Sequence, residues 1–165
     1  VTPPVAFVAL GSNLGESAGV LREVFARLGI LAAGAVARSS LWRSAPVDCP
    51  PGSPDFLNAV AAFTPRPGET PESLLAELQR LERDFGRQPK KLLNEARALD
   101  LDLLAFGYEV RQTSTLTLPH PRAHLRRFVL APLCELAPDL ILPGQTRPVR
   151  ELLAALPPAD CRRVE

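Results

Sequence analysis

Leu99-Asp100-Leu101-Asp102-Leu103 sets a strict apolar–acidic alternation within a chain of 165 residues. A strand repeats every two residues, so this run turns three leucines to one face and two carboxylates to the other. The leucine face demands an apolar partner layer. The other face holds two charges roughly 6.5–7 Å apart at Cα, which are costly to desolvate unless something cationic lies with them. Paired divalent ions shared between carboxylates and phosphate oxygens satisfy that geometry. Structural salt bridges, or an edge strand with a solvated acidic face, would satisfy it too.

The flanking pattern supplies the layer. Residues 5–10 form an apolar run that ends at Gly11, which suits a buried strand entering a turn. From Ser17 to Leu28, the residues Val20, Leu21, Val24, Phe25 and Leu28 recur at helical spacing, with Ser17 as the expected N-cap and Gly29 just past the end. Residues 35–47 and Phe56–Phe63 read as two strands joined by a Pro/Gly-rich excursion. Thr70-Pro71 opens a second helix with Leu74, Leu78, Leu81 and Phe85 on one face and Gly86 as its stop. Residues 99–106 return as a strand, Gly107 turns it, and residues 113–118 form another strand. The order βαββαβ predicts an α+β, ferredoxin-like core with a mostly antiparallel sheet and both helices on one face. Extra strands and short C-terminal helices over residues 132–137 and 148–156, each with proline near its start, extend it.

Composition narrows the function classes. With 46% hydrophobic and 22% charged residues, the chain is expected to form one domain over residues 1–165. Nineteen basic and eighteen acidic side chains leave a net charge of +1, without a field to draw nucleic acid or an anionic membrane. No apolar stretch approaches the ~20 residues of a membrane span, and no signal peptide opens the chain, so a soluble, cytoplasmic protein is expected; a monomer is the separate expectation for its assembly. Cys49, Cys134 and Cys161 are odd in number and widely spaced, which suits reduced thiols rather than disulfides or a metal motif.

Positive charge is instead local: Arg80, Arg83, Arg87, Lys90, Lys91 and Arg97 precede the acidic strand. A polyphosphate held by metal on one side and by Arg87, Lys90, Lys91 and Arg97 on the other would be almost neutralised, as phosphoryl transfer requires. A solvated charged loop is the plainer reading of the same residues. Gly11-Ser12-Asn13-Leu14-Gly15 lacks the spacing of a phosphate loop and reads as a tight turn bordering a pocket. Pro119-His120-Pro121 fixes an imidazole in a stiff turn, suited to a hydrogen bond or a phosphate contact. Phe56, Asn58 and Phe128 fit a core individually; together they could stack on a flat heterocycle while the amide reads its edge.

Taken in order, a further set of segments carries a resemblance. They are residues 9–15, Ser39-Ser40-Leu41-Trp42-Arg43-Ser44 with Pro46, Asp55-Phe56-Leu57-Asn58-Ala59, Gln79-Arg80-Leu81-Glu82 and Gly86-Arg87. Arg97-Ala98-Leu99-Asp100-Leu101-Asp102, Leu118-Pro119-His120-Pro121-Arg122 and residues 126–133 complete the set. The chain resembles the 6-hydroxymethyl-7,8-dihydropterin pyrophosphokinase family of the folate pathway over nearly its whole length. The resemblance implies transfer of pyrophosphate from ATP to the hydroxymethyl group of the pterin, with release of AMP. It implies two Mg²⁺ ions on Asp100 and Asp102, and a pterin ring between Phe56 and Phe128. Asn58 would bond the ring edge, helped by the chain around Ser44, Ala45 and Val47. Gln79, Glu82, Arg87, Arg97, His120 and Arg126 would lie along the ATP site, with Arg87 and Arg97 steadying the transferred charge. Pro89 stands where the family carries a second loop arginine, leaving Lys90 or Lys91 to substitute, and Phe56 replaces a common tyrosine. A non-catalytic ferredoxin-like module for a small ligand or RNA, or a metal-dependent phosphohydrolase, are the competing expectations.

Overall fold

A computed structural model describes residues 2–13, 16–46, 49–86 and 99–165. In chain order its strands are β1 (Ala6–Ser12), β2 (Ala37–Arg38), β3 (Trp42–Ser44), β4 (Phe56–Phe63), β5 (Asp100–Phe106), β6 (Arg111–Gln112), β7 (Thr117–Leu118) and β8 (Cys161–Arg163). Its helices are α1 (Ser17–Leu28), α2 (Pro71–Asp84), α3 (Arg127–Leu136) and α4 (Val149–Ala155). None of the helices among the described residues is long and apolar enough to cross a membrane.

The main sheet runs β5-β1-β4-β3-β8, with β2 also paired to β4, and each of these pairings is antiparallel. Counting β2 and β3 as one interrupted strand, this is the ferredoxin-like order predicted from the sequence. One sheet face buries Val8, Leu10, Leu57, Ala59, Leu101 and Leu103 against Leu21, Val24 and Leu28 of α1 and Leu74, Leu78 and Leu81 of α2. The opposite face buries Phe7, Ala9, Val60 and Leu104 against Val129, Leu130 and Leu133 of α3 and Val149 of α4. The sheet is thus covered on both sides, and the leucines of the acidic strand lie on the α1/α2 face as their alternation requires.

Local chemistry accounts for the element ends. Thr70 accepts the Ser73 N–H (3.0 Å) while Ser73 Oγ accepts the Thr70 N–H (2.8 Å), and Pro71 fills the first helical turn of α2. Gly86 follows that helix at φ +82°, a left-handed conformation that favours glycine. Ser17 is not the N-cap of α1: Glu16 is, without a side-chain cap, and Ser17 Oγ instead accepts a hydrogen bond from Ser12 Oγ (3.0 Å) at the end of β1.

Three other expectations are corrected. In place of the single strand expected over residues 35–47 stand two short ones, β2 and β3. Ala37 and Arg38 face Ala62 and Ala61, whereas Trp42 and Ser44 face Asn58 and Phe56, so residues 38 to 42 pass against only 61 to 58 on β4. Ser39 occupies the break: its N–H donates to the Val60 carbonyl (2.9 Å) and its hydroxyl accepts the Val60 N–H (2.8 Å), a side chain standing in for strand backbone. Next, α3 begins at Arg127 and carries Pro132 inside it, because burial of Val129, Leu130, Ala131 and Leu133 outweighs the lost N–H. Finally, within residues 113–118 only Thr117–Leu118 is a strand, since Thr113 Oγ1 accepts the Leu116 N–H (3.1 Å) and closes a turn. The C-terminal strand β8, absent from the sequence reading, adds to β3.

One irregularity positions the site. Along β1 and β5, Ala9 faces Asp102 and Val8 faces Leu103, yet Phe7 faces Ala105. Leu104 is therefore the extra residue of a bulge, and it joins the α3 face beside Ala105.

Candidate active site

Gly11 lies at the centre of the constellation. It pairs with Asn58 of β4 on one side and Asp100 of β5 on the other, so all three project to one face across roughly 10 Å of sheet. Asp102 is beside Ala9 on the same face, and Phe56 and Ser44 lie on that face along β4 and β3. Asp100 and Asp102 are each half-buried, and the strand's alternation sets them as neighbours turned away from α1 and α2.

Asn58 is 4% exposed. Its Nδ2 donates to the Trp42 carbonyl (3.1 Å) and to Ser44 Oγ (2.8 Å). The Trp42 carbonyl can only accept, which fixes the orientation of the amide and turns Oδ1 toward Gly11. A Cβ built on Gly11 would lie 3.7 Å from Asn58 Oδ1 and 4.0 Å from a Phe56 ring carbon, both ordinary contacts, and the glycine has no left-handed φ. Neither backbone strain nor crowding within the protein calls for glycine there. Its bareness keeps the floor between the amide and the carboxylates open.

The second wall comes from the segment after β7. His120 donates its backbone N–H to the carbonyl of Leu104, the bulged residue (2.9 Å), which brings the imidazole to β5. Nδ1 accepts the Arg122 N–H (3.2 Å), so the neutral ring carries its proton on Nε2, 4.0 Å from Asp102 Oδ2. That distance is too long for a direct hydrogen bond. Burial, reinforced by the guanidiniums of Arg126 and Arg122, lowers the His120 pKa from 6.5 to about 4, against the opposing pull of Asp100. The imidazole is therefore a neutral donor near Asp102 and not half of an ion pair. At the start of α3, the Arg126 guanidinium lies 5.6 Å from the centre of the Phe128 ring, a cation–π pair.

The remaining sequence candidates divide. Ala45 follows Ser44 and gives its N–H to the Asp160 carbonyl (3.1 Å), so β8 backs that wall. Gln79 and Glu82 are on α2, which covers the other sheet face. Gln79 is exposed, whereas Glu82 is buried and its Oε2 accepts the Leu101 N–H of β5 (2.8 Å), tying the helix to that strand. Arg87, Lys90, Lys91, Arg97 and Val47 lie outside the described residues. Sequence reasoning missed Gly11 as a floor and Glu135, whose carboxylate takes bonds from Ser40 and Trp42. The only signal for the latter is an acidic residue in the last turn of a helix that is apolar from Phe128 to Leu133.

Among the described residues there is no group of three or more His, Cys, Asp and Glu side chains able to hold a metal ion. Two carboxylates do not make a zinc site. They do match the hard oxygen donors of magnesium, which completes its shell with water and substrate phosphates. The face thus combines a hydrogen-bonding and aromatic half, suited to a flat polar ring, with an acidic half suited to a metal-bound phosphate.

Comparison with known proteins bears on this arrangement. The family model for 7,8-dihydro-6-hydroxymethylpterin-pyrophosphokinase (HPPK) matches residues 7–138. The 2-amino-4-hydroxy-6-hydroxymethyldihydropteridine pyrophosphokinase of Haemophilus influenzae is 41% identical over 140 residues, covering 84% of this chain and 85% of the relative. The protein of the same name from Pseudomonas aeruginosa is 42% identical over 154 residues, covering 92% and 91%. Among solved structures, an HPPK-DHPS in complex with substrates superposes with a TM-score of 0.72 at 12% identity, over 93% of this chain and 43% of that one. That likeness bears on the fold alone, and the chain spans less than half of that larger protein.

Proposed function

The chain belongs to the 7,8-dihydro-6-hydroxymethylpterin-pyrophosphokinase family, and on that premise we propose that it transfers pyrophosphate from ATP to the hydroxymethyl group of 6-hydroxymethyl-7,8-dihydropterin, releasing AMP in folate biosynthesis. The observation that carries the site assignment is the row Asn58–Gly11–Asp100, which joins ring recognition and acidic residues across one bare strand. Asn58 Oδ1 accepts a ring N–H, and its rigid bonds to Trp42 and Ser44 keep it from turning. Phe56 and Phe128 stack on the ring, and Ser44, Ala45 and Val47 border it.

Asp100 and Asp102 hold two Mg²⁺ ions. When bound, these ions neutralise the phosphates and lower the pKa of the acceptor hydroxyl. His120 presents Nε2–H to a phosphate oxygen, and its neutrality lets it serve as a donor without adding charge. Arg126, Gln79 and Glu82 belong to the nucleotide side. Arg87 and Arg97 steady the charge that develops at the transferred group, with Lys90 or Lys91 as the additional cation. We read the chain as one catalytic domain that works on small molecules as a cytoplasmic monomer, and its net charge of +1 supports the absence of a nucleic-acid partner.

A coupled assay of AMP release from ATP and the hydroxymethyl dihydropterin, run with and without magnesium, tests this. AMP formation that needs both the pterin and the metal is expected. Release of inorganic phosphate without a pyrophosphorylated pterin would favour a phosphohydrolase instead.

A further inference from the structure

We infer that Glu135 is a positioning residue for the acceptor ring, acting through Trp42 and Asn58 without touching substrate; this rests on the reading above. Glu135 lies in the last turn of α3, where an acidic side chain opposes the helix dipole, so the helix itself gains nothing from it. What it does instead is collect three donors from Ser40 and Trp42, at the start of β3. Oε1 accepts the Trp42 indole N–H (2.6 Å) and the Ser40 N–H (3.1 Å), and Oε2 accepts the Ser40 hydroxyl (2.8 Å). Bonds to a carboxylate are the stronger kind.

These donors flank the irregular step between β2 and β3, where the pairing with β4 gains one residue. A short strand after a register break is poorly held by its own ladder. β3 is only three residues long, yet its Trp42 carbonyl and Ser44 hydroxyl set the amide of Asn58. Glu135 therefore fixes the strand that fixes the amide. It also joins that strand to the helix whose opposite end carries Phe128, so one carboxylate holds the floor and the wall of the ring site at a constant separation. Slack at this contact would misplace the Asn58 Oδ1 without disturbing Asp100 or Asp102, which belong to the far side of β1.

Trp42 is the sole tryptophan of the chain, so its emission reports directly on the contact. Steady-state kinetics for both substrates in Glu135→Ala, Glu135→Gln, Trp42→Phe and the Glu135→Ala/Trp42→Phe double variant test the inference. Glu135→Ala removes all three bonds, and the KM for the pterin should rise about tenfold, with kcat and the KM for ATP within about twofold. Glu135→Gln keeps an oxygen for the indole and should recover part of the loss. The double variant should be no worse than Glu135→Ala, because the two side chains act as one unit. An unchanged pterin KM alongside an altered Trp42 emission would overturn the inference, as would equal losses in both KM values and kcat, which mark a merely structural contact. Absence of AMP formation by the unmodified enzyme would instead overturn the parent reading.

Discussion

Gly11→Ala adds a single methyl to the middle of the site, and the structure assigns opposite signs to its two effects. In the unliganded protein the new Cβ meets Asn58 Oδ1 at 3.7 Å and Phe56 at 4.0 Å, which is contact without clash, and φ is already acceptable to alanine. Removing a glycine from a strand interior should then stabilise the fold by about 0.5–1 kcal/mol, or roughly 1–4 °C in Tm for a domain of this size. A flat ring seated over the bare strand, however, meets a group that stands about 1.5 Å above the Cα. Overpacking of that kind costs about 1–3 kcal/mol, which is about 5- to 150-fold in pterin affinity. Calorimetric titration with the hydroxymethyl dihydropterin, in the presence of a non-hydrolysable ATP analogue, reads the affinity, and thermal unfolding reads the stability. A raised Tm with pterin affinity within about twofold of the original would refute the reasoning, because the ring would then not rest on this strand.

Asp102→Ala is expected to lower AMP release by at least about 10²-fold while leaving Tm unchanged or slightly raised, since two like charges share one strand face; retained turnover rejects the acidic half of the site, and Asp100→Asn should act in the same direction. Because the native state holds His120 neutral down to about pH 4 while the unfolded chain takes up its proton near 6.5, the contribution of this residue to stability is whole above pH 6.5 and is lost as pH falls toward 4. Urea unfolding between pH 7 and 5 should therefore fall by up to about 1.4 kcal/mol per pH unit more steeply for the native chain than for His120→Asn, and equal slopes would reject the shift.

Much of this arrangement is legible in the sequence because it follows from periodicity. Leu99 to Leu103 fixes which face carries the carboxylates, and Leu74, Leu78 and Leu81 fix which face of α2 is buried. Less legible is whatever depends on one residue replacing another's hydrogen bond. Ser39 splits the strand over residues 35–47 because its hydroxyl matches a carbonyl as an acceptor, and no alternation in the sequence encodes that. Pro132 reads as a helix start, yet the apolar cluster around it holds the turn that precedes it. Asn58 could be placed beside an aromatic residue, but the direction of its amide depends on the backbone of β3, a partner 16 residues away. Glu135 is farther still from its partners, 93 to 95 positions along the chain. Tertiary contacts over such separations leave no local mark.

The surplus residue at Leu104 doubles one position of the strand. Leu103 and Phe106 both face α1 and α2 while Leu104 and Ala105 both face α3, so the doubled position adds one apolar side chain to the α3 face and leaves both halves of the strand in phase. Excising Leu104 would restore unbroken alternation, with Asp100 and Asp102 still on the site face and Phe106 still against α1 and α2, but it would remove the bulged carbonyl that accepts the His120 N–H and one side chain of the α3 packing. Lengthening the tip beyond Gly107 would disturb neither, which makes that turn, and not the strand, the place where this scaffold can absorb insertions.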